Sequence, residues 1–596
     1  MSRHGARPIH DEESLGKIYD TRLMRRLWGY VQPHRALLLL SLLLMLIVSA
    51  AQLTQPYLIK LAIDRHIMTR EMDGLGRLAL YFALALAVEF LTRYAQLYVL
   101  ERTGQNVVFD MRCHTFAHLQ RLPSSFFDRN PVGRLMTRVT TDVEAIHEAF
   151  TSGLVVMLAD MAKLVGIVVI LFWMDWRLAV VTLAVVPPLA LVTWSFGLRL
   201  RKAYRKLRVM VARLNSFLQE TVSGMRIVQL FARERETMSH FREINAEHRE
   251  AQLESVRYDS VFSALAEMVG SITLAAIVWA GGWRILAGAI TFGTLVAFID
   301  YAGKFFRPLQ ELAQRYTTMQ SAMASAERIF KLLDTEATDR SPATPHKLEG
   351  RPRGEIVFEN VTFGYRENEP VLHDVSFRIG AGERVGIVGW TGSGKSTLIR
   401  LLARLYDVWE GRILLDGVDI REYDLHELRR AIGVVLQDHF MFAGSVAGNI
   451  SLGDPRITQE RVRRAARVVR ADRFIEALPR GYDEEVRERG SNFSVGEKQL
   501  LSFARAVAFD PAILVLDEAT ASVDPETEDR IQTALAEILT GRTSIIIAHR
   551  LTTVREADRI LVLHQGRLTE QGSHAELIGL EGGIYRALHR LQTAIH

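Results

Sequence analysis

The sequence predicts two unlike halves: an all-α, six-helix membrane domain, then an α/β domain built round a phosphate-binding loop. Three observations carry this. Apolar runs long enough to cross a bilayer recur up to about Leu333 and then stop. Beyond that point the chain reads as a soluble α/β domain. One of those strands, Arg384-Val385-Gly386-Ile387-Val388, runs into Gly389-Trp390-Thr391-Gly392-Ser393-Gly394-Lys395-Ser396-Thr397. That is the spacing G-x-x-x-x-G-K-[ST] between a strand and the helix opened by Leu398-Ile399-Arg400-Leu401-Leu402.

The chain has 596 residues, 48% of them hydrophobic, room for several domains. Its net charge of +5 is small for this length. The basic surplus sits in clusters that flank the apolar runs, which argues for membrane orientation and against a nucleic-acid partner. The single cysteine, Cys113, excludes an intramolecular disulfide and a C-x-x-C site. More than thirty mostly polar residues precede the first apolar run, so no cleavable signal peptide is expected.

In order, residues 1–20 form a polar tail, 21–333 the membrane domain, 334–354 a linker and 355–596 the nucleotide-binding domain. Arg22 to Val31 mixes arginines with an apolar and aromatic stripe and predicts a short elbow helix in the membrane interface. The six spans are expected at about 35–63, 76–100, 153–174, 178–199, 260–283 and 289–312. The connections after the second and fourth are long, helical in period and rich in arginine, including Arg199, Arg201, Arg205 and Arg208. The positive-inside rule puts both, and both termini, in the cytoplasm. Pro187-Pro188 should kink the fourth helix; Pro56 and Pro308 bend the first and sixth. Phe126-Phe127-Asp128-Arg129-Asn130-Pro131-Val132-Gly133-Arg134 reads as a docking knuckle with two aromatic anchors, and Asn215 to Glu234 as its counterpart.

Several ionisable residues fall inside the apolar runs. Glu89/Arg93 and Asp300/Lys304 are spaced i,i+4 and Asp160/Lys163 i,i+3, so each reads as a local ion pair or as a functional group. These residues, with Glu267, are expected to face the cavity or bundle interior.

In the C-terminal half, glycines at the phosphate loop let backbone N–H groups turn inward and the helix start adds positive potential. Lys395 would reach the β- and γ-phosphates and Ser396 would hold Mg²⁺. Ile513-Leu514-Val515-Leu516-Asp517-Glu518 is a buried strand emitting two carboxylates: Asp517 suits the ion, Glu518 the attacking water. Ser494 reads as the N-cap of a second helix start. Tyr365, Gln437 and His549 each end a strand-like run; taken alone, Tyr365 is as well explained by a core tyrosine as by an adenine-stacking one.

Together, in this order, these motifs resemble the ATP-binding-cassette (ABC) family, and six helices ahead of one cassette resemble its half-transporter exporters. The resemblance spans about residues 20–590. It implies a membrane all-α six-helix exporter domain plus a cytoplasmic α/β P-loop NTPase (ABC ATPase) domain, with ATP and Mg²⁺ as ligands. It makes Tyr365 the adenine-stacking aromatic, Gly389, Trp390, Thr391, Gly392, Ser393, Gly394, Lys395, Ser396 and Thr397 the Walker A loop, and Gln437 the Q-loop glutamine and a metal ligand. Ser494 and Gly496 fall in the signature loop, Asp517 and Glu518 form the Walker B pair, Asp524 lies in the D-loop, and His549 is the switch histidine. Phe126, Phe127, Asp128 and Arg134 match the first coupling helix, and Glu488 falls where exporters carry an acid facing the coupling helices.

Two departures stand out. The usual L-S-G-G-Q signature reads Phe493-Ser494-Val495-Gly496-Glu497, and the exporter V-G-E motif reads Val486-Arg487-Glu488. Val495 adds bulk where glycine lets backbone approach, and Glu497 puts an acid beside a triphosphate. Family members work as head-to-tail dimers, so a homodimer would carry both changes at both nucleotides. The expectation is therefore an ATP-hydrolysing exporter subunit of the bacterial inner (plasma) membrane, paired with a second, different half-transporter chain. It would move a drug, lipid or peptide-like substrate by alternating access among membrane lipid. An ATP-gated channel or an importer on the same fold is the alternative.

Overall fold

The computed structural model describes residues 20–184, 186–336, 341–342, 344–348, 350–517, 533, 535–547 and 554–593. The chain forms two compact units: residues 1–117 with 136–334, and residues 118–135 with 335–596. The short segment 118–135 thus belongs with the C-terminal half, although the helices of residues 136–334 separate them in sequence.

The first unit is helical. Asp20 caps α1 (Thr21–Val31) by accepting from the Arg22 amide at 2.8 Å. Its apolar stripe, Leu23, Leu27 and Tyr30, packs in a cluster with Val108, Met111 and Phe330, while Arg22, Arg25 and Trp28 stay exposed. Arg26 pairs with Asp334 at 2.7 Å and stacks over Phe330. Helix α2 (Arg35–Ala62) contains Pro56 without interruption, and α3 (Leu75–Leu119) continues far past its apolar span. After the second unit's α4 (Ser124–Arg129) and α5 (Val132–Thr137), the chain returns through α6 (Val143–Glu148) to α7 (Val156–Met174).

Asp175 ends α7 and caps α8 (Trp176–Leu183), accepting from the Leu178 amide at 2.8 Å. The expected fourth span is therefore two pieces, α8 and α9 (Val186–Ser223), with the break just before Pro187-Pro188, where the missing amides cannot continue the ladder. A short α10 (Met225–Leu230) leads into α11 (Glu234–Leu286), and α12 (Phe292–Leu333) closes the unit. With 53 residues α11 is roughly 80 Å long, more than twice a hydrocarbon core. The polar halves of α9 and α11 run side by side, tied by Lys206–Glu254 at 2.8 Å and Arg213–Glu247 at 2.6 Å. Among the described residues four helical stretches are long and apolar enough to cross a membrane, within residues 21–67, 75–119, 132–174 and 234–286.

The second unit carries two main sheets. Strands β1 (Ile356–Phe363), β2 (Leu372–Ile379), β4 (Glu410–Leu415) and β5 (Val418–Asp419) form an antiparallel sheet in the order β2-β1-β4-β5. The larger sheet is built from β3 (Arg384–Gly389), β6 (Ile432–Val435), β9 (Ile513–Asp517), β10 (Thr543–Ile547), β11 (Arg559–His564) and β12 (Arg567–Gly572), in the order β12-β11-β3-β10-β9-β6. A third pairing joins β7 (Gly444–Ser445) to β8 (Glu485–Val486). Strands β3, β6, β9, β10 and β11 are mutually parallel, and β9 and β10 are buried along their whole length. Continuous Val/Ile/Leu runs are what a sheet covered on both faces requires.

Candidate ATP site and its link to residues 124–135

A parallel sheet gathers the ends of its strands on one edge, and the loops leaving that edge form the site. Here β3 ends on Gly389, β9 on Asp517, and Gln437 follows the end of β6 by two residues. Strand β10 lies between β3 and β9, with Ile547 opposite Asp517. Residues 389–397, Gln437 and Asp517 are therefore brought to one edge. Glu518, Asp524 and His549 lie outside the described residues.

The loop after β3 can take only glycine at two points. Gly394 sits at φ +98°, and a Cβ there would come within 2.5 Å of Leu372. A Cβ on Gly389 would meet the Leu563 carbonyl oxygen of the adjacent strand at 2.2 Å. Helix α13 (Lys395–Leu402) starts on Gly394 with no side-chain cap, which leaves its first amides open to an external anion. The buried Lys395 ammonium donates to the carbonyls of Gly389 at 2.9 Å and Trp390 at 3.1 Å, placing the charge inside the loop. Among the described residues the buried Ser393 hydroxyl has no partner, an orphan that a phosphate oxygen would satisfy. Ser396 is exposed, Thr397 buried, and Trp390 and Thr391 stand at the rim.

Tyr365 leans on this loop. Its hydroxyl is 3.1 Å from the Thr397 hydroxyl, it accepts from Arg400 at 3.3 Å, and the Arg400 guanidinium lies over its ring at 5.5 Å. Its ring meets Phe363 and Tyr406 edge-on, each at 5.2 Å.

Sequence reasoning missed Tyr406. It touches Tyr365 on one side, and on the other its hydroxyl donates to the Asp128 carboxylate of α4. Burial first, and then that carboxylate, push the Tyr406 hydroxyl well above the ordinary tyrosine range, so it stays a proton donor. Arg129 adds a second bond, donating to the Tyr365 backbone carbonyl at 3.3 Å. The Phe126 and Phe127 rings pack edge to face at 5.7 Å on the same helix. Arg134 and Glu488 are exposed. No local signal in the sequence marks Tyr406, because its partner lies 278 residues away.

Helices α14 (Leu425–Ala431), α15 (Val446–Ser451), α16 (Gln459–Val468) and α17 (Asp472–Ala477) precede the second helix start, α18 (Val495–Ala508). Ser494 caps it: its hydroxyl accepts from the Glu497 amide at 3.3 Å and donates to the Glu497 carboxylate at 2.9 Å. The same carboxylate accepts from the Ser494 amide at 2.8 Å. Val495 is exposed and Gly496 buried. Lys498, one turn on, and Arg505, about two turns further, lie near His439, two residues after Gln437; burial first, then those cations, outweigh Asp438 and hold this imidazole down to about 4.

This edge, with its lysine-bearing glycine loop and buried aspartate, defines a P-loop ATPase, here on a chain that also crosses a membrane several times. The ABC transporter transmembrane region matches residues 38–309 and the ABC transporter domain residues 372–521. The chain is 40% identical over 589 residues to an uncharacterized ABC transporter ATP-binding protein, YknV, of Bacillus subtilis, covering 98% of this chain and 97% of that one. It is 35% identical over 581 residues to an ATP-dependent lipid A-core flippase of Desulfotalea psychrophila, covering 96% and 99%. A solved bacterial Atm1-family ABC exporter with ATP bound superposes with a TM-score of 0.75 at 31% identity, over 94% of this chain and 98% of that one. The chain belongs to the ABC transporter family. It is an exporter half-transporter, a multi-pass integral membrane protein with one ATPase domain that drives export by hydrolysing ATP.

Proposed function

We propose that this chain is one half of an asymmetric exporter, paired with a different half-transporter that supplies a standard signature loop. The observation that carries this is the Ser494–Glu497 pair. In a head-to-tail dimer Ser494 faces the partner's nucleotide, and its hydroxyl is already given to a carboxylate of its own helix. Bringing a γ-phosphate there means breaking that bond and setting two anions side by side. A different partner confines the handicap to one site; a homodimer repeats it at both. Affinity purification of the chain from its native membrane tests the pairing. A second ABC chain with an unaltered signature loop and no glutamate after its Walker B aspartate is expected; a homodimer contradicts it.

Within the competent site, Tyr365 stacks on adenine, residues 389–397 bind the phosphates, and Lys395 swings from the loop carbonyls to the β- and γ-oxygens. Ser396, Asp517 and Gln437 are oxygen donors of the kind Mg²⁺ takes, and would hold an ion that neutralises phosphate charge. Glu518 takes the proton of the attacking water as the water oxygen bonds the γ-phosphorus and the bond to the ADP oxygen breaks. His549 steadies the γ-phosphate, and Asp524 faces the partner across the interface. Phe126, Phe127, Asp128, Arg134 and Glu488 pass closure of the ATPase domains to the helices.

Six spans, with both termini and the ATPase domain in the cytoplasm of a bacterial inner membrane, complete the reading. Its support is the arginine-rich course of α9 beyond its apolar start and the bacterial sources of the relatives.

A further inference from the structure

Three of the ionisable residues inside the apolar spans, Glu89, Asp300 and Lys304, gather around Gln52 and Pro56 of α2. Pro56 has no N–H, so the carbonyl of Gln52, four residues earlier, lacks its helical donor. The Lys304 ammonium of α12 fills that gap, donating to the Gln52 carbonyl at 3.2 Å. The next carbonyl, Leu53, accepts the Tyr301 hydroxyl at 2.5 Å. Asp300 lies 3.3 Å from Lys304, so the ammonium already has its counter-charge.

The same residue of α2, Gln52, also meets a carboxylate. The Gln52 side-chain amide donates to one Glu89 oxygen at 2.7 Å, and the Gln55 amide donates to the other. Two carboxamides orient a carboxylate without neutralising it. Among the described residues Glu89 has no cation within ion-pair distance; Arg93, one turn on, is exposed, and the local Glu89/Arg93 pair expected from spacing is not formed. By helical rise Glu89 lies about 20 Å along α3, inside a hydrocarbon span of roughly 30 Å. Its side chain is only half-buried. A carboxylate at that depth, fixed by two donors and open on one side, favours a positively charged ligand.

We propose that Glu89, presented by Gln52 and Gln55, binds the cationic group of an amphiphile: an ammonium or onium centre on an apolar body. Gln52 is the hinge of the site, since its amide holds Glu89 while its carbonyl holds Lys304. Occupancy of Glu89 is thereby tied to how α2 and α12 meet at Pro56. Two sources share this chemistry, an organic cation and the amine of a lipid headgroup. Binding at Glu89 stands apart from the export reading; only the later transport of the bound cation rests on it.

The test is equilibrium dialysis on the purified full-length protein in a non-ionic detergent, without nucleotide. The probes are tetraphenylphosphonium and tetraphenylborate, alike in shape and opposite in charge. Glu89→Gln is expected to weaken phosphonium binding about tenfold and to leave borate binding within about twofold. Displacement of the phosphonium by added phosphatidylethanolamine identifies a lipid amine as the ligand; no displacement identifies an organic cation. Equal phosphonium binding by wild type and Glu89→Gln overturns the proposal. Should Glu89→Gln not purify as a monodisperse protein, Glu89→Asp takes its place, with weakened phosphonium and unchanged borate binding expected, and equal binding of both fatal. Because no ATP is present, failure of ATP-driven flux counts against the export reading alone.

Discussion

Helices α13 and α18 both start in glycine-bearing turns of the same domain, yet only one start is vacant. Helix α13 begins on Gly394, with no capping side chain, a lysine folded into the loop and a serine hydroxyl left over. Helix α18 begins on Ser494, tied three ways to its own Glu497. A capping box of this kind stabilises a helix start by about 1 kcal/mol, and it does so by using the groups an external anion would need. The difference teaches that stability at a helix start and readiness to bind phosphate draw on the same few donors.

The largest effect should come at the nucleotide that the α13 start binds. Glu518→Gln keeps the side chain's shape but cannot take a proton, so ATP turnover should fall at least a hundredfold, roughly, while ATP binding persists. Substantial residual turnover, with the partner's site silenced, would remove Glu518 from the chemistry. Next comes the occupied start. Glu497→Gln keeps the cap but removes the negative charge, and hydrolysis at the nucleotide it faces should rise by about fivefold. An unchanged rate means the carboxylate does not oppose the phosphate.

A comparable change is expected one layer out from α13. Tyr406→Phe cuts the bond to Asp128 and leaves the ring on Tyr365, so basal ATP hydrolysis should hold while substrate-stimulated hydrolysis falls by about fivefold, near 1 kcal/mol of coupling. Equal loss of both rates would make Tyr406 a packing residue. The smallest effect concerns His439, beside the α18 start. Its folded value of about 4 lies below the ordinary 6.5, so the unfolded chain takes up a proton first as pH drops. Stability from this group is complete above pH 6.5 and is lost as pH falls toward about 4. His439→Leu should flatten the fall in thermal midpoint between pH 7 and pH 5; an unaltered slope assigns it to other groups.

What was legible in the sequence was what is local. Strand β3, its loop and α13 are contiguous, so their order and spacing could be read directly. Asp517 ends an unbroken apolar run that could only be a buried strand. Asp300 and Lys304 pair at their helical spacing. Contacts between distant elements were not legible. Glu89 went to Gln52 and Gln55 on another helix and not to Arg93, because two neutral donors can reach both of its oxygens. Lys304 reaches a backbone carbonyl that only Pro56 sets free. The Ser494 cap was readable; that Glu497 also takes its hydroxyl needed coordinates.

The central claim is that the α18 start handicaps any site it completes. It is tested most directly by the steady-state ATPase rate of the chain purified alone in lipid, as wild type and as Val495→Gly with Glu497→Gln. A low rate is expected for the wild type and a rise of about tenfold or more for the double variant, which opens the backbone at residue 495 and removes the negative charge beside the phosphate. Full ATPase activity of the wild-type homodimer, with no gain in the double variant, would contradict it.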